Sequence, residues 1–183
     1  MTATALSFLG RRRSLVILLA VVAVSLTSVV SVLTLHAASQ RTKAASLPGD
    51  SVPLLQGVHI ASVASRHEPY NSVPPTSGPH VPWTVAPGVY RESIPEELQV
   101  HALEHGHVLI QYSPGTTQEE ISTLQKVARL YPRDVIVAPY PKLRTGLALT
   151  AWGRISKMDH ADIREVIAFV GAWAGKYNHG PQP

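Results

Sequence analysis

The chain of 183 residues has room for one domain of about 100 to 150 residues and an additional segment, which excludes a large multidomain enzyme. It carries 16 Lys and Arg against 12 Asp and Glu, but from residue 41 onward the balance is 13 to 12. The part expected to fold therefore lacks the cation excess of a nucleic-acid-binding surface. The absence of cysteine excludes disulfides, thiolate nucleophiles and iron–sulfur clusters, whereas nine histidines require an explanation.

The N-terminal segment predicts a membrane anchor. Residues 15–35 form an uncharged run that, as a helix, is long enough to cross a hydrocarbon core of about 30 Å. Arg11, Arg12 and Arg13 precede this run directly, so the positive-inside rule places a basic tail, residues 1–14, in the cytoplasm and the C-terminal domain outside. We expect a single-pass protein of the cell membrane. A cleaved signal peptide is the alternative, although its apolar core is usually only about 7 to 15 residues long.

The rest of the chain divides into a tether, a domain and a tail. Residues 36–57 are small and polar and predict a tether, residues 58–178 predict the exported domain, and residues 179–183 predict a tail. Prolines recur between residues 58 and 92 and argue against a long helix or a central strand there. Aromatic residues in the same segment favour order, because disordered segments are poor in them.

Helices and strands are predicted after this irregular segment. Ser93 and Glu96 form a capping-box pattern before a helix over residues 96–105, and Gly106 supplies its stop. The further elements are a strand over 107–112, a helix from a capping box at Thr117 to Pro132, strands over 135–138 and 147–152 joined as a hairpin, and a helix capped by Asp159. This order predicts a small α+β sandwich with a mixed sheet of three or more strands and two to three helices.

The first predicted helix carries the clearest chemical signal. His101 and His105 are four residues apart and lie on one helix face, the spacing by which a helix offers two imidazoles to one metal ion. Glu104 lies between them, and the helix C-terminus, with its partial negative charge, favours a cation there. With no catalytic residue assigned, binding is favoured over catalysis.

The irregular segment upstream supplies further candidate ligands. His80 ends the stiff segment PPTSGPH, and His59 and His67 lie earlier in the same region. His67, His107 on the following strand, and Tyr70 are the weaker candidates. One helix and one rigid loop therefore predict a site of three or four histidines. Nitrogen ligands without cysteine favour copper(II) or zinc as the metal.

Two other classes of function stay open. The segment from His101 to His105 has the H-x-x-E-H form of the inverted zinc-peptidase motif, so the same histidines suit a metal-dependent hydrolase or oxidase. The helix ends at once at Gly106, and no further acidic ligand is evident, which disfavours the peptidase. The other class is a metal-free interaction module of the cell envelope, whose histidines bond the backbone or sense pH.

Five segments carry a resemblance to a known family, among them GVY (88–90) and the end of the strand at residues 112–114. YNSVPPTSGPH (70–80), VHALEHG (100–106) and LTAWGR (149–154) resemble the domain-of-unknown-function 3105 family, whose mostly bacterial members often carry an N-terminal membrane anchor. The resemblance extends from about residue 59 to residue 169. It implies no substrate, but it implies that the recurring histidines of the family fall on His59, His80, His101 and His105. We expect these four as metal ligands, with Glu104 orienting an imidazole or acting as a fifth ligand.

Overall fold

The computed structural model describes residues 25–34 and 47–176. Residues 25–34 are helical (α1) and exposed. The predicted basic tail, the rest of the predicted membrane segment, most of the predicted tether and the predicted C-terminal tail lie outside the described residues. Within the two described ranges, no helix combines the length and the apolar character needed to cross a membrane.

The folded unit that begins at Pro48 is an α+β domain built on one mixed sheet. Its strands are β1 (Asp50–Ser51), β2 (Gly88–Val89), β3 (Val108–Tyr112), β4 (Val135–Pro139), β5 (Leu147–Ala151) and β6 (Arg154–Met158). Its helices are α2 (Glu96–Glu104), α3 (Gln118–Leu130) and α4 (Ile163–Trp173). The six strands follow the order β1-β6-β5-β3-β4-β2. The predicted α+β class with a mixed sheet is confirmed.

The strand pairing differs from the prediction at one point. We expected a hairpin between the strands now called β4 and β5, but β3 lies between them and pairs with β4 in parallel and with β5 in antiparallel fashion. The reason is the crossover through α3, which makes β4 a parallel neighbour of β3 and leaves the opposite side of β3 for β5. The hairpin in the structure joins β5 to β6, a strand that was not predicted, and Gly153 in its turn has a φ of 67°.

Both faces of the sheet are covered. Val108 and Ile110 of β3 belong to a core formed with α3 and α4, whereas Leu109 points to the opposite face and packs with Ala102 and Leu103 of α2. Strands β4 and β5 alternate in the same way, so the central strands are buried on both sides. The irregular segment before α2 accompanies this helix on its side of the sheet, where Ile94 joins the smaller core.

The start of α2 differs from the prediction, although its end agrees. The expected capping box of Ser93 and Glu96 does not form: the helix begins after Pro95 without a side-chain cap. Instead, the Glu96 carboxylate accepts hydrogen bonds from the Tyr140 hydroxyl and from Lys142 Nζ. A tertiary contact of the carboxylate has thus replaced the local cap. Gly106 follows the helix with a φ of 84°, as a glycine stop requires.

The other two helices of the folded unit begin with side-chain caps. Thr117 and Glu120 form the predicted capping box at the start of α3. Helix α4 is capped by Asp162, whose side chain accepts from the backbone N–H groups of Arg164 and Glu165, and not by Asp159 as predicted. The difference arises because Asp159 directly follows β6, and the chain needs a turn before the helix begins.

The two ends of the folded unit are joined. Strand β1 lies within the predicted tether, yet Asp50 and Ser51 pair with Ile155 and Arg154 of β6. The Trp173 indole N–H donates a hydrogen bond of 2.8 Å to the Pro48 carbonyl oxygen. Residues 48–51 therefore belong to the sheet and its surroundings, and the structure differs from the predicted tether there.

We expect Gly146→Ala to destabilise the domain. Gly146 has a φ of 66°, and a Cβ atom there would collide with the Met158 carbonyl oxygen and lie 2.8 Å from Asp159 Cα. The strained backbone and the backbone clash should together cost more than about 1 kcal/mol of unfolding free energy. Urea titration measures this change. The control is Gly171→Ala in α4, where nothing lies within 4 Å of the added Cβ and stability should rise by about 0.5 to 1 kcal/mol. Equal stability of the two variants would contradict the backbone argument.

Candidate metal site

A backbone bridge places His59 beside His80. The His80 N–H donates to the Val58 carbonyl oxygen at 2.9 Å, and the Ile60 N–H donates to the His80 carbonyl oxygen at 2.8 Å. His59 and His80 thus form a parallel β-bridge, with ring centroids 5.0 Å apart. The bridge holds two imidazoles from separate loop segments side by side without a regular strand.

Tyr70 secures the loop that carries His80. Its hydroxyl donates a hydrogen bond of 2.6 Å to the Pro79 carbonyl oxygen, and its ring lies 3.1 Å from where a Cβ of Gly78 would be. Burial, with Glu97 and Glu96 nearby, raises the pKa of the Tyr70 hydroxyl, which therefore stays protonated as a donor. Tyr70, a weak candidate ligand, thus supports the loop through the Pro79 carbonyl oxygen.

Helix α2 presents two buried polar side chains toward this loop. His101 and Glu104 are only 6% and 5% exposed, whereas His105 is exposed. The first two share a helix face because they are three residues apart. The ring of His101 lies 5.0 Å from that of His80 and 5.6 Å from that of His59, measured between centroids.

Four residues meet at this point and can hold one metal ion. His59, His80, His101 and Glu104 each offer one ligand atom, and these four atoms all lie within 4.8 Å of one another. In a tetrahedral site with bonds of about 2.0 to 2.1 Å, ligand atoms are roughly 3.3 Å apart, so small side-chain adjustments would close the group around an ion. His59 is exposed and the other three are buried.

The contact between His80 and Glu104 requires a cation. His80 Nδ1 lies 2.8 Å from the Gly78 carbonyl oxygen, which only accepts, so Nδ1 carries the proton. In the neutral ring Nε2 then presents its lone pair, and it lies 2.8 Å from Glu104 Oε2. Both side chains are buried, so a proton or a metal ion must neutralise the two electron-rich atoms. A carbonyl on Nδ1 is also how proteins orient a histidine that binds metal through Nε2.

His101 is prepared to act as a neutral ligand. Its Nδ1 is buried and has no hydrogen-bond partner among the described residues, whereas its Nε2 lies 2.9 Å from His105 Nε2. Burial, reinforced by the neighbouring imidazoles of His105 and His80, lowers the pKa of His101 to about 4. The imidazole is therefore neutral near pH 7, the form that binds metal ions.

The remaining candidates lie outside this group. His105 contacts His101 but is not among the four gathered residues, so Glu104 occupies the place in the group that the sequence interpretation gave to His105. His67 lies 3.4 Å from Glu97 through its Nε2, and its Nδ1 is 2.7 Å from the Glu68 carbonyl oxygen. His107 lines a separate cavity of about 110 Å³, and burial lowers its pKa.

Two residues beside the group were not expected from the sequence. A Cβ on Gly57 would lie 3.2 Å from Glu104 Oε1, 3.5 Å from His80 Cε1 and 3.6 Å from Trp152 Cη2. The glycine therefore lets the backbone approach the carboxylate, the His80 ring and Trp152 closely, and a side chain at this position would crowd all three. The sequence gives no sign that either residue lies beside the histidines, because the contacts join distant parts of the chain.

Comparison with known proteins identifies the family. The model of the family described as "Protein of unknown function (DUF3105)" matches residues 63–183, which is more than half of the chain. The chain belongs to this family. No curated protein and no solved structure matches it. The matched region contains His80, His101, Glu104 and His105, whereas His59 lies just before it.

We expect the metal-free domain to lose stability as the pH falls from about 6.5 to about 4. His101 binds its proton near pH 4 when folded and near 6.5 when unfolded, so in this window the unfolded chain holds more protons. The contribution of the neutral His101 ring to the free energy of unfolding is complete above pH 6.5. It declines toward pH 4, by at most about 3 kcal/mol. Urea titrations in chelator across this range measure it. The decline should be shallower in His101→Asn, and an identical decline in both proteins would contradict the assignment.

Proposed function

We propose that this DUF3105 member is an exported, membrane-anchored protein that binds one copper(II) or zinc ion through His59, His80, His101 and Glu104. One observation carries the proposal: the ligand atoms of these four residues lie within 4.8 Å of one another, and three of the four residues are buried. Buried imidazole and carboxylate groups rarely gather unless a cation or a proton compensates them.

The chemistry of the four side chains favours copper(II) or zinc. Three nitrogens and one oxygen form a donor set of intermediate softness that suits both ions. The chain has no cysteine, and Met158 is its only methionine besides the initiator, so the sulfur ligands that select copper(I) are missing. The proton on His80 Nδ1 leaves Nε2 of this ring to face the ion, and the ring of His101 is already neutral. A metal ion therefore displaces the proton that otherwise neutralises the contact between His80 and Glu104.

The number of ligands favours a binding role over catalysis. Four protein ligands complete a tetrahedral zinc site, whereas catalytic zinc usually has three and keeps one position for water or substrate. The exposure of His59 favours a second candidate, a metal-dependent hydrolase or oxidase, because water or a substrate can reach the ion from the exposed side of the group. This candidate requires that His59, the exposed member, leaves one position open.

Membrane anchoring is supported by the uncharged run 15–35 and the three arginines before it. We expect the full chain to stay in the membrane fraction after carbonate extraction and to dissolve only in detergent, because a spanning apolar helix is held by its burial in lipid. Intact mass should include residues 1–35. Release by carbonate, or an N-terminus after residue 35, would instead indicate a cleaved signal peptide.

We expect the full chain, purified without a histidine tag, to contain about one copper or zinc ion per molecule by elemental analysis. Chelator should lower the melting temperature, because an ion that binds only the folded state stabilises it by about 2.7 kcal/mol at 100 times its Kd. His80→Ala and Glu104→Gln should each weaken binding at least about tenfold. The matched control is His160→Ala, whose side chain is 91% exposed and lies outside the group.

Two outcomes would overturn the proposal. Unchanged metal content in a double variant, His80→Ala with His101→Ala, would show that the ion binds elsewhere. A wild-type protein that neither contains metal nor changes its melting temperature with added copper or zinc would favour the metal-free interaction module.

A further inference from the structure

An exposed imidazole touches the buried group from outside. His105 is exposed, and its Nε2 lies 2.9 Å from His101 Nε2. The ring of His101 also lies within 5.6 Å, between centroids, of the rings of His59 and His80. His101, a member of the group of four, therefore also contacts His105 at the surface.

The two nitrogens of His101 have different surroundings. Nε2 faces the exposed ring of His105, whereas Nδ1 is buried and has no hydrogen-bond partner in the described part of the chain. Histidines four residues apart on a helix are the arrangement that offers two imidazoles to one ion. His101 and His105 thus form a two-ligand position at the surface that shares one residue with the group of four.

We propose that His105 is an entry ligand, which receives copper(II) or zinc together with His101 before the ion moves to the inner group. This inference rests on the proposed function. An ion that reaches buried ligands must give up its bound water, and doing so in steps avoids a poorly coordinated ion in the interior. At the outer position two waters are replaced by the Nε2 atoms of His105 and His101. The proton that one of these atoms donates to the other in the metal-free protein moves through water to the second nitrogen of its own ring. His80, Glu104 and His59 then coordinate the ion, and His105 dissociates from it. Release follows the same steps in reverse.

The experiment measures the rates of metal uptake and removal in the full chain. Wild type, His105→Ala and His105→Gln are mixed with copper(II) sulfate in a stopped-flow instrument, and the loaded proteins are then mixed with EDTA. We expect the two His105 variants to match the wild type in metal content and absorption spectrum and to have Kd values within about twofold of it. Their rates of metal uptake and of metal removal should both be lower than those of the wild type by about tenfold or more. Uptake and removal slow by the same factor because an entry ligand lowers the barrier without changing either end state. His160→Ala, again an exposed histidine outside the group, should keep both wild-type rates.

Each contrary outcome has one meaning. Unchanged rates of metal uptake and removal in both His105 variants would show that His105 is not an entry ligand. A changed spectrum, metal content or Kd would make His105 a ligand of the loaded site and would also overturn the inference. The glutamine variant keeps a polar side chain, and a wild-type melting temperature in chelator shows that the fold is intact. Failure of the underlying function is distinct from all of these, because the wild type itself would then bind no metal.

Discussion

The close approach of His80 to Glu104 constrains much of the surrounding chain. An imidazole nitrogen and a carboxylate oxygen lie 2.8 Å apart in the interior, where each group has lost its water. The loop that carries His80 is ordered by hydrogen bonds at Val58, Ile60 and Gly78, although it has almost no regular structure. Such ordering is needed because a flexible loop would release the buried groups to solvent, where they are better hydrated.

The sheet separates this polar site from the main source of stability. On one face, α3 and α4 cover a large apolar core that includes Leu124, Val127, Val166 and Phe169. On the other face, α2 and the loop cover a smaller core beside the histidines. Burial of apolar area on the first face compensates for polar groups on the second, which is how a domain of this size can accommodate a costly site.

Local signals in the sequence were sufficient for most elements but not for their pairing. The capping box at Thr117 and the glycine stop at Gly106 depend only on neighbouring residues, so both were predictable. The misplaced hairpin and the missed strand β6 have a different origin, because strand order is decided by contacts between distant segments. Arg154 and Lys157 also interrupt the apolar pattern of β6. Strand β1 has only two residues, too few to produce a pattern.

The candidate site was predictable in its residue types and less so in its arrangement. The spacing of His101, Glu104 and His105 identified the helix, and the stiff segment before His80 identified the loop. Which of the three helix residues faces the loop depends on how α2 lies on the sheet, and the spacing alone does not contain this. The exchange of places between Glu104 and His105 is therefore a consequence of tertiary packing.

The contact of Trp173 with Pro48 has a consequence for the order of events during biosynthesis. The segment that leads to His59 is anchored through β1 to β6 and through Pro48 to the end of α4, which are late elements of the chain. Contacts of such long sequence separation form late in folding, after their distant partner has been synthesised. The segment that precedes His59 is therefore fixed to the sheet only after the C-terminal helix has left the ribosome.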